Sequence, residues 1–282
     1  GIELLRIIAN HPRVKVVAIT SRQYKGNNVI DIFPGLSKFS DLKFKDTENL
    51  TTIYDADVIF SALPNEASQE IVPEVLKNGK RVIDLSAAFR LKKGKTYEKW
   101  YGKQPNSSLL KKAIYGIPEL YRDKIKKAIL IANPGCYPTG AILGLAPLIK
   151  AGVIDINTII IDSKSGVSGA GRVAAVETSF VEINDGFKAY KVGEHRHTPE
   201  IEQEISLLAG QTINVTFTPH LLPVNRGILS TIYVSLVEKS ISFSQITNIY
   251  NRHYNNEFFI RIMPEETFPN ISQVKGSNFC DI

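Results

Sequence analysis

The residues with the clearest chemical meaning form segment 133–140, Asn-Pro-Gly-Cys-Tyr-Pro-Thr-Gly. An apolar run at 128–132 predicts a buried strand before it, and residues 141–150 have the pattern of a helix. The thiol of Cys136 would then lie at a helix N-terminus, where unpaired N–H groups and the helix dipole favour an anion. Because the thiolate is the nucleophilic form of cysteine, this position predicts covalent catalysis. The alternative is that Cys136 is a small buried hydrophobic residue.

A second cluster, Glu-His-Arg-His-Thr-Pro-Glu at 194–200, places two imidazoles and a guanidinium before a helix expected to begin near Pro199. Histidine titrates near neutral pH and can transfer protons, whereas arginine offers a planar fork to a carboxylate or phosphate. The cluster therefore indicates proton transfer and anion binding. Two alternatives stay open: a metal site, although no third His or Cys ligand is evident nearby, and a plain polar surface segment.

The segment 163–172, Ser-Lys-Ser-Gly-Val-Ser-Gly-Ala-Gly-Arg, follows a predicted strand and is rich in glycine and hydroxyl groups, with two cations. Loops of this composition bind phosphate through backbone N–H groups and side-chain donors. A flexible connection with no binding role is the alternative interpretation.

Two turns are candidates for contact with a dinucleotide. Thr20, Ser21 and Arg22 lie at the carboxyl end of the second strand of a dinucleotide-type pattern. An acidic residue there would hold the ribose hydroxyls of NAD, whereas Ser21 and Arg22 suit the additional phosphate of NADP, so NADP is favoured. The turn 61–65, Ser-Ala-Leu-Pro-Asn, either lies along the cofactor or simply ends a strand.

Composition excludes several classes of protein. The 282 residues are 43% hydrophobic and 22% charged, which is typical of a soluble globular chain with room for two domains. No apolar stretch reaches about 18 residues and the start lacks the zones of a signal peptide, so we expect no membrane segment and a cytoplasmic location. Two cysteines, at 136 and 280, make neither a disulfide framework nor a zinc site.

The net charge is +6, but the lysines are scattered and do not form a basic patch for nucleic acid. The charge suits a small anionic substrate and a phosphorylated cofactor without choosing between them.

The chain divides into two halves with different patterns. The first alternates helix and strand, which predicts a parallel sheet with helices on its faces; the segments are a helix at 2–10, strands at 14–20, 58–62 and 81–84, and a helix at 68–78. The second has longer strands, which predicts an α+β domain on an antiparallel or mixed sheet; they lie at 157–163, 214–219 and 227–236, with helices near 199–208 and 243–256. We therefore predict a dinucleotide-binding domain over 1–135 and an α+β domain over 136–282.

Both ends differ from a complete doubly wound domain. Such a domain opens with a strand and a glycine-rich turn, whereas this sequence begins directly before a helix. We expect the first strand to lie upstream, with Gly1 as the last glycine of its turn. At the other end, residues 275–282 stop in mid-pattern without a terminal helix.

Three segments resemble N-acetyl-gamma-glutamyl-phosphate reductases of arginine biosynthesis: 133–140, 193–201 (Gly-Glu-His-Arg-His-Thr-Pro-Glu-Ile) and 218–227 (Thr-Pro-His-Leu-Leu-Pro-Val-Asn-Arg-Gly). The opening residues and 20–22 match as well, so the resemblance runs along essentially the whole chain. It implies a Rossmann-type dinucleotide-binding domain, completed by a C-terminal return segment that is absent or truncated here. It also implies that 136–282 is an α+β catalytic and oligomerisation domain of the glyceraldehyde-3-phosphate dehydrogenase type. It also implies a homo-oligomer, either a homotetramer or a homodimer, with NADP as cofactor and no nucleic acid partner.

The resemblance further implies a mechanism. Cys136 would attack an acyl phosphate and form a thioester, NADPH would deliver hydride, and the semialdehyde would be released. His195 would be the acid/base, with His197 as the second candidate. The residues expected to hold the substrate are Ser165, Arg172, Arg196 and His197. The residues expected to contact the cofactor are Gly1, Thr20, Ser21, Arg22, Ser61, Leu63 and Pro64. No metal is expected.

Three alternative functions stay open. Aspartate-semialdehyde dehydrogenases usually carry a shorter Asn-Cys-x-Thr core, and carrier-linked aminoadipate reductases differ in substrate contacts that cannot be located in the sequence. A non-catalytic cofactor-sensing module is a third alternative, against which the retained thiol and histidine pair argue. His220 is expected in a turn near the site, and His11, His253 and Cys280 are expected to be structural.

Overall fold

A computed structural model of the chain describes residues 1–47, 50–103, 105–171 and 175–282. The chain folds into two compact units. The first contains Gly1–Gly94 and Gln104–Asn133, and the second contains Lys95–Lys103 and Pro134–Ile282. The sequence pattern put residues 95–103 in the first half, whereas the structure groups them with the second unit.

The helices, in chain order, are α1 Ile2–Ile8, α2 Val29–Ile32, α3 Asn65–Lys77, α4 Gly94–Tyr101, α5 Ser107–Lys112, α6 Pro118–Lys127, α7 Cys136–Ala151, α8 Phe180–Ile183, α9 Thr198–Ala209, α10 Phe243–Tyr254 and α11 Ile271–Val274. The strands are β1 Ile19–Thr20, β2 Phe44–Lys45, β3 Val58–Ser61, β4 Arg81–Asp84, β5 Ile114–Tyr115, β6 Leu130–Ala132, β7 Ile154–Gly166, β8 Lys188–Ala189, β9 Thr216–Leu222, β10 Ile228–Leu236, β11 Ile260–Arg261 and β12 Cys280–Asp281. Short 3-10 helices span Ser37–Phe39, Leu50–Ile53, Val167–Ala170 and Val176–Thr178.

The first unit is built on a parallel sheet with strand order β3–β4–β6–β5. This confirms the parallel sheet predicted from the alternating pattern. Helix α3 packs on β4 through Val72 and Val75, which join a core with Val82, Phe89 and Leu130. Gly79, which follows this helix, has φ +74°, the left-handed conformation that glycine adopts without strain.

The strand expected at 14–20 is much shorter than predicted. Only Ile19 and Thr20 form β1, which pairs in parallel with β2. Val14 and Val17 are exposed, at 44% and 38%. A β-branched run favours a strand mainly through packing on a neighbouring strand, and no strand among the described residues pairs with 14–18.

A buried carboxylate organises the carboxyl ends of β3 and β4. Asp84 is completely buried and accepts hydrogen bonds from Ser68 Oγ (2.6 Å), Ser86 Oγ (2.6 Å) and the Ser86 backbone N–H (3.3 Å). Ser68 Oγ also lies 3.1 Å from Ser61 Oγ at the end of β3. The cluster links the first turns of α3 to the segment after β4, because a buried carboxylate needs donors around it.

The second unit contains a mixed sheet with strand order β10–β7–β9–β8, as the pattern of the second half predicted. Strand β7 is antiparallel to β10 and parallel to β9. Alternate residues of β7, including Ile159, Ile161 and Ser163, are buried, whereas Ile160 is 44% exposed. Helix α7 packs against β7 and β10, so one face of the sheet is covered by the helix that begins at Cys136.

Helix α7 is mostly buried and has a proline, Pro147, in its interior. Pro147 has no N–H, so the carbonyl of Leu143 four residues earlier loses its helical donor. Tyr254 Oη donates to that carbonyl at 2.6 Å, and Tyr250 Oη donates to the neighbouring carbonyl of Gly144 at 2.6 Å. Two tyrosines of α10 therefore hold α7 at the position where its own hydrogen bonding is interrupted.

Candidate active site

Cys136 is the first residue of α7, not a residue before a helix that starts at 141 as the sequence pattern suggested. Its side chain is exposed, so the interpretation of Cys136 as a buried hydrophobic residue is wrong. The N–H groups of a first helical turn have no intrahelical acceptor, and the helix dipole adds partial positive charge. The thiol therefore lies where a thiolate and a developing oxyanion are both stabilised.

Two residues of the histidine cluster at 194–200 contact Gly135, the residue before the thiol. Its N–H donates to Glu200 Oε1 at 2.7 Å, and Glu200 is 1% exposed in the first turn of α9. A Cβ on Gly135 would lie 2.4 Å from Nε2 of His197. The imidazole of His197 thus rests directly on the backbone next to Cys136, and glycine is required because no side chain fits between them.

His195 is buried, at 9% exposure, among ring edges. Its ring makes edge contacts with four aromatic or imidazole rings, those of Tyr137, Tyr190, His197 and Phe217, at centroid distances of 4.8–5.5 Å. Burial lowers the pKa of His195 to about 3, with smaller contributions from the nearby charges of His197 and Lys191. His195 is therefore neutral at physiological pH.

The hydroxyl groups of two tyrosines, Tyr190 and Tyr137, form a chain of polar contacts that begins at His195. Tyr190 Oη lies 3.5 Å from His195 Nε2 and 2.9 Å from Tyr137 Oη, and Tyr137 Oη lies 3.4 Å from the carbonyl oxygen of His220. Burial raises the pKa of both phenols, so they remain protonated. Both histidines of the cluster and the residue after Cys136 thus share one packed group of rings.

The glycine-rich loop does not present its first backbone donors to a ligand. The N–H groups of Gly166, Val167 and Ser168 donate to the carbonyls of Gly227, Val224 and Asn225. A Cβ on Gly166 would lie 2.7 Å from the backbone nitrogen of Arg226, so the two chain segments approach backbone to backbone. These three N–H groups are therefore not available to a phosphate, since they are bonded to the segment 224–227. The expectation that other donors of the loop bind phosphate stays a prediction.

Two substrate candidates lie in this loop. Ser165 is buried and its hydroxyl donates to the carbonyl of Gly166 at 3.0 Å. Arg172 lies outside the described residues.

Arg196 is exposed and its guanidinium lies 5.3 Å from the ring centroid of Tyr101. Tyr101 Oη donates to the Arg196 carbonyl at 3.3 Å, so α4 contacts the histidine cluster within the second unit. A guanidinium stacked on a ring keeps its edge donors available to an anion.

His220 is a strand residue, so the expectation that it lies in a turn is wrong. It belongs to β9, and its Nδ1 lies 3.0 Å from Asp162 Oδ1. Within the described residues no group of three or more His, Cys, Asp or Glu side chains could hold a metal ion.

The cofactor candidates all belong to the first unit. Gly1 is the residue before α1, and its carbonyl accepts from the Leu5 N–H at 3.1 Å. Thr20 ends β1, Ser21 Oγ accepts from the Tyr24 N–H at 3.2 Å, and Arg22 is exposed on the same turn.

The other cofactor candidates lie in the turn between β3 and α3. Ser61 is buried against Ser68, Leu63 is half-buried, and Pro64 directly precedes the first helical residue. The turn therefore combines a fixed strand end with an open helix N-terminus, as the edge of a dinucleotide-binding sheet does.

Both units match one protein family. Residues 1–128 match the family model described as the NAD binding domain of semialdehyde dehydrogenases, and residues 136–282 match the one described as their dimerisation domain. Together with an exposed cysteine at a helix start beside two histidines, these matches define a protein of the semialdehyde dehydrogenase class.

Relatives narrow the class. Proteins named N-acetyl-gamma-glutamyl-phosphate reductase from Geotalea daltonii, Geobacter sp. strain M21 and Desulfotalea psychrophila are 54%, 52% and 51% identical to this chain. Each match covers 100% of this chain and 82% of the relative. The chain belongs to the N-acetyl-gamma-glutamyl-phosphate reductases of the semialdehyde dehydrogenase family, which confirms the resemblance recognised in its motifs.

Solved structures confirm the predicted fold class. Aspartate semialdehyde dehydrogenase II from Vibrio cholerae is 17% identical, with a TM-score of 0.71 over 96% of this chain and 80% of that one. Aspartate semialdehyde dehydrogenase with NADP from Candida albicans is 14% identical, with a TM-score of 0.69 over 98% and 84%. The fold is a Rossmann-type unit plus an α+β catalytic unit.

No helix in the described part of the chain is long and apolar enough to cross a bilayer.

Sequence reasoning missed Tyr190, Glu200 and Phe217. Glu200 was visible in the histidine motif, and its position three residues after His197 at a helix start marks it as a partner for orphan donors. Tyr190 and Phe217 carry no comparable signal, because their contacts with His195 depend on how the chain folds back.

Proposed function

We propose that the protein catalyses the NADPH-dependent reductive dephosphorylation of N-acetyl-gamma-glutamyl phosphate to N-acetylglutamate semialdehyde. The observation that carries this proposal is the exposed thiol of Cys136 at the first position of α7, with two imidazoles packed on the adjacent residue Tyr137. Family membership indicates the substrate, and the arrangement of residues around Cys136 indicates the type of reaction.

In the first step, the thiolate of Cys136 attacks the acyl carbon, a carbon–sulfur bond forms and the carbon–oxygen bond to phosphate breaks. The products are a thioester and inorganic phosphate. Bound NADPH supplies the hydride that reduces the thioester. Collapse of the resulting thiohemiacetal releases the semialdehyde and returns the thiolate, and first-turn N–H groups of α7 stabilise the oxyanion in both steps.

The proton transfers belong to the histidine pair. For the role of general acid/base, the sequence analysis favours His195 over His197, but two contacts in the structure favour His197. Both ring nitrogens of His195 face protein groups, the His197 N–H at 3.1 Å and Tyr190 Oη at 3.5 Å. The ring of His197 instead lies on Gly135, next to the thiol. A general base also works best with a pKa near the working pH, which burial denies to His195.

Substrate anions are proposed to bind Arg196, whose exposed fork suits a carboxylate, with Ser165 and Arg172 as further candidates. His197 is within the same cluster and can hydrogen-bond the substrate as well as transfer its proton.

The cofactor is proposed to be NADP, held by the candidate residues of the first unit. The exposed guanidinium of Arg22 beside Ser21 fits the additional phosphate, and the β3–α3 turn at Ser61, Leu63 and Pro64 fits the dinucleotide at the carboxyl edge of the sheet.

We also propose a homodimer or homotetramer, which the dimerisation domain at 136–282 supports, and a cytoplasmic location, where a free thiol stays reduced.

The test is phosphate-dependent NADP reduction with N-acetylglutamate semialdehyde, run beside aspartate semialdehyde as the competing substrate. We expect turnover with the first that exceeds turnover with the second by roughly a thousandfold, since buried polar groups left unpaired penalise the wrong substrate. Equal rates, or a preference for aspartate semialdehyde, would contradict the proposal.

Cofactor preference has its own test. Arg22→Ala should raise the KM for NADP by roughly 10- to 100-fold, the loss expected for hydrogen bonds to a charged phosphate, and leave the KM for NAD nearly unchanged. Arg13→Ala, which removes an exposed arginine of the same unit, is the matched control. Equal effects of Arg22→Ala on both cofactors would show that Arg22 does not contact the phosphate.

A further inference from the structure

The imidazole of His195 has a protein partner at each nitrogen. The backbone N–H of His197 donates to Nδ1 at 3.1 Å, and Tyr190 Oη lies 3.5 Å from Nε2. A nitrogen that accepts a hydrogen bond carries no proton, so neutral His195 has its proton on Nε2. That proton points at the hydroxyl of Tyr190.

The hydroxyls beyond His195 form a chain with one consistent direction. Tyr190 Oη accepts from His195 Nε2 and donates to Tyr137 Oη at 2.9 Å, and Tyr137 Oη donates to the carbonyl of His220 at 3.4 Å. Every hydroxyl has one acceptor and one donor role, and a backbone carbonyl ends the chain. With Nδ1 of His195 accepting from the His197 N–H and a carbonyl that can only accept at the far end, this direction satisfies every group of the chain, and the tautomer with its proton on Nδ1 does not.

The backbone holds Tyr190 at this place. Its N–H donates to the carbonyl of Pro219 at 3.0 Å, which ties it to β9. The next residue, Lys191, has φ +48°, a left-handed conformation that costs energy outside glycine, and the carbonyl of Lys191 accepts from the Glu194 N–H. This turn brings the rings of Tyr190 and His195, which are five residues apart, into edge contact. Strained backbone of this kind persists where the surrounding structure requires it.

We infer that Tyr190 is a positioning residue of the active site, whose hydroxyl fixes the tautomer and ring orientation of His195 so that Nδ1 holds the backbone of His197 against Gly135. This inference rests on the proposed function, because it assigns Tyr190 a role through the histidine pair. Tyr137 is the next link of the same chain. The rings of His195 and His197 are 4.8 Å apart, so a rotation of one changes the position of the other.

Tyr190→Phe is the direct test, since it removes the hydroxyl and keeps the ring edge against His195. Selective 15N labelling of histidine reports the tautomer in the resting protein, with His195→Asn used to assign the signal. We expect a protonated Nε2 in the natural protein and a mixture of both tautomers in Tyr190→Phe. We expect kcat to fall roughly tenfold with the KM for NADP unchanged, the scale of one lost hydrogen bond.

Tyr250→Phe is the matched control, because it removes another buried tyrosine hydroxyl bonded within the second unit, to the carbonyl of Gly144. It should lower thermal stability and leave both kcat and the His195 signal unchanged. If Tyr190→Phe does not fold, Tyr137→Phe is the second variant, because it removes the hydroxyl to which Tyr190 donates. It should also give a mixture of His195 tautomers.

An unchanged His195 signal together with kcat within twofold of the natural protein would overturn the inference. A changed tautomer in Tyr190→Phe, combined with no reductase activity in the natural protein, would overturn the proposed function and leave the positioning role of Tyr190 supported.

Discussion

Two buried ionisable groups, Asp84 in the first unit and His195 in the second, are accommodated in opposite ways. Asp84 is surrounded by donors, two serine hydroxyls and a backbone N–H. His195 is surrounded by ring edges and is kept neutral by the loss of solvation. A carboxylate with donors on both oxygens serves as a fixed joint between chain segments. A neutral imidazole among rings can direct one donor and one acceptor without the cost of a buried charge.

The difference indicates that the Asp84 cluster has a structural role and the His195 cluster a catalytic one. The Asp84 cluster holds the ends of β3 and β4, where cofactor candidates lie, and its carboxylate and hydroxyl groups are hydrogen-bonded to one another. The His195 cluster packs on Tyr137, the residue after Cys136, and contacts a second imidazole. Changes in the second cluster should therefore affect rates, whereas changes in the first should affect stability.

The largest expected effect comes from the thiol itself. Cys136→Ser should lower kcat by at least several thousandfold, because a serine hydroxyl is a much weaker nucleophile at neutral pH. NADP affinity, measured by titration calorimetry, should stay nearly the same, since the cofactor candidates belong to the first unit. Residual turnover above about one per cent would rule out covalent catalysis by Cys136.

The histidine pair comes next. His197→Asn should lower kcat by roughly 10²- to 10⁴-fold, the usual range for a general acid/base, and His195→Asn by less. His220→Asn, which changes a histidine paired with Asp162, should have the smallest effect of the three. If His195→Asn is the most damaging, the ranking suggested by the sequence is correct and the one drawn from the contacts is wrong.

Asp84→Ala should instead destabilise the protein by roughly 2–4 kcal/mol, because it leaves the buried hydroxyls of Ser68 and Ser86 without their acceptor. The measurement is urea unfolding. Turnover at saturating NADPH should stay within about threefold, as expected for a group that makes no contact with reacting atoms. A loss of kcat comparable to that of His197→Asn would remove the distinction between the two clusters.

The smallest effect concerns pH. Because the pKa of His195 is lowered to about 3 in the folded state, the unfolded chain binds a proton between about pH 6.5 and 3 that the folded protein does not. Stability should therefore fall as pH falls through this window. In His195→Asn, the slope of the unfolding free energy against pH should be smaller by about one proton. His253 also has a lowered pKa, caused chiefly by burial, and accounts for a remaining slope.

Local sequence signals predicted most of the regular elements. Strand β4 and helices α3, α9 and α10 lie close to their expected positions, because each has a clear periodicity and end signals such as Gly79. Strand β1 was overestimated, since β-branched residues without a neighbouring strand do not pair.

The site residues could be predicted where they are contiguous in the sequence, as in segments 133–140 and 194–200. It was not predictable where it depends on tertiary contacts. Nothing in the sequence shows that segment 224–227 takes up the N–H groups of the glycine-rich loop, or that Tyr190 faces His195. These contacts join residues through strand pairing and turns, and a single sequence does not encode them as a local pattern.

The covalent intermediate is the most direct test of the account. The natural protein is incubated with N-acetylglutamate semialdehyde and NADP in phosphate-free buffer, quenched in acid, and examined by intact-protein and peptide mass spectrometry. We predict one N-acetylglutamyl group per chain, attached to the peptide that contains Cys136, lost on addition of phosphate and absent from Cys136→Ser. NADP reduction that proceeds with no acyl group on Cys136, or an acyl group on another residue, would contradict the account.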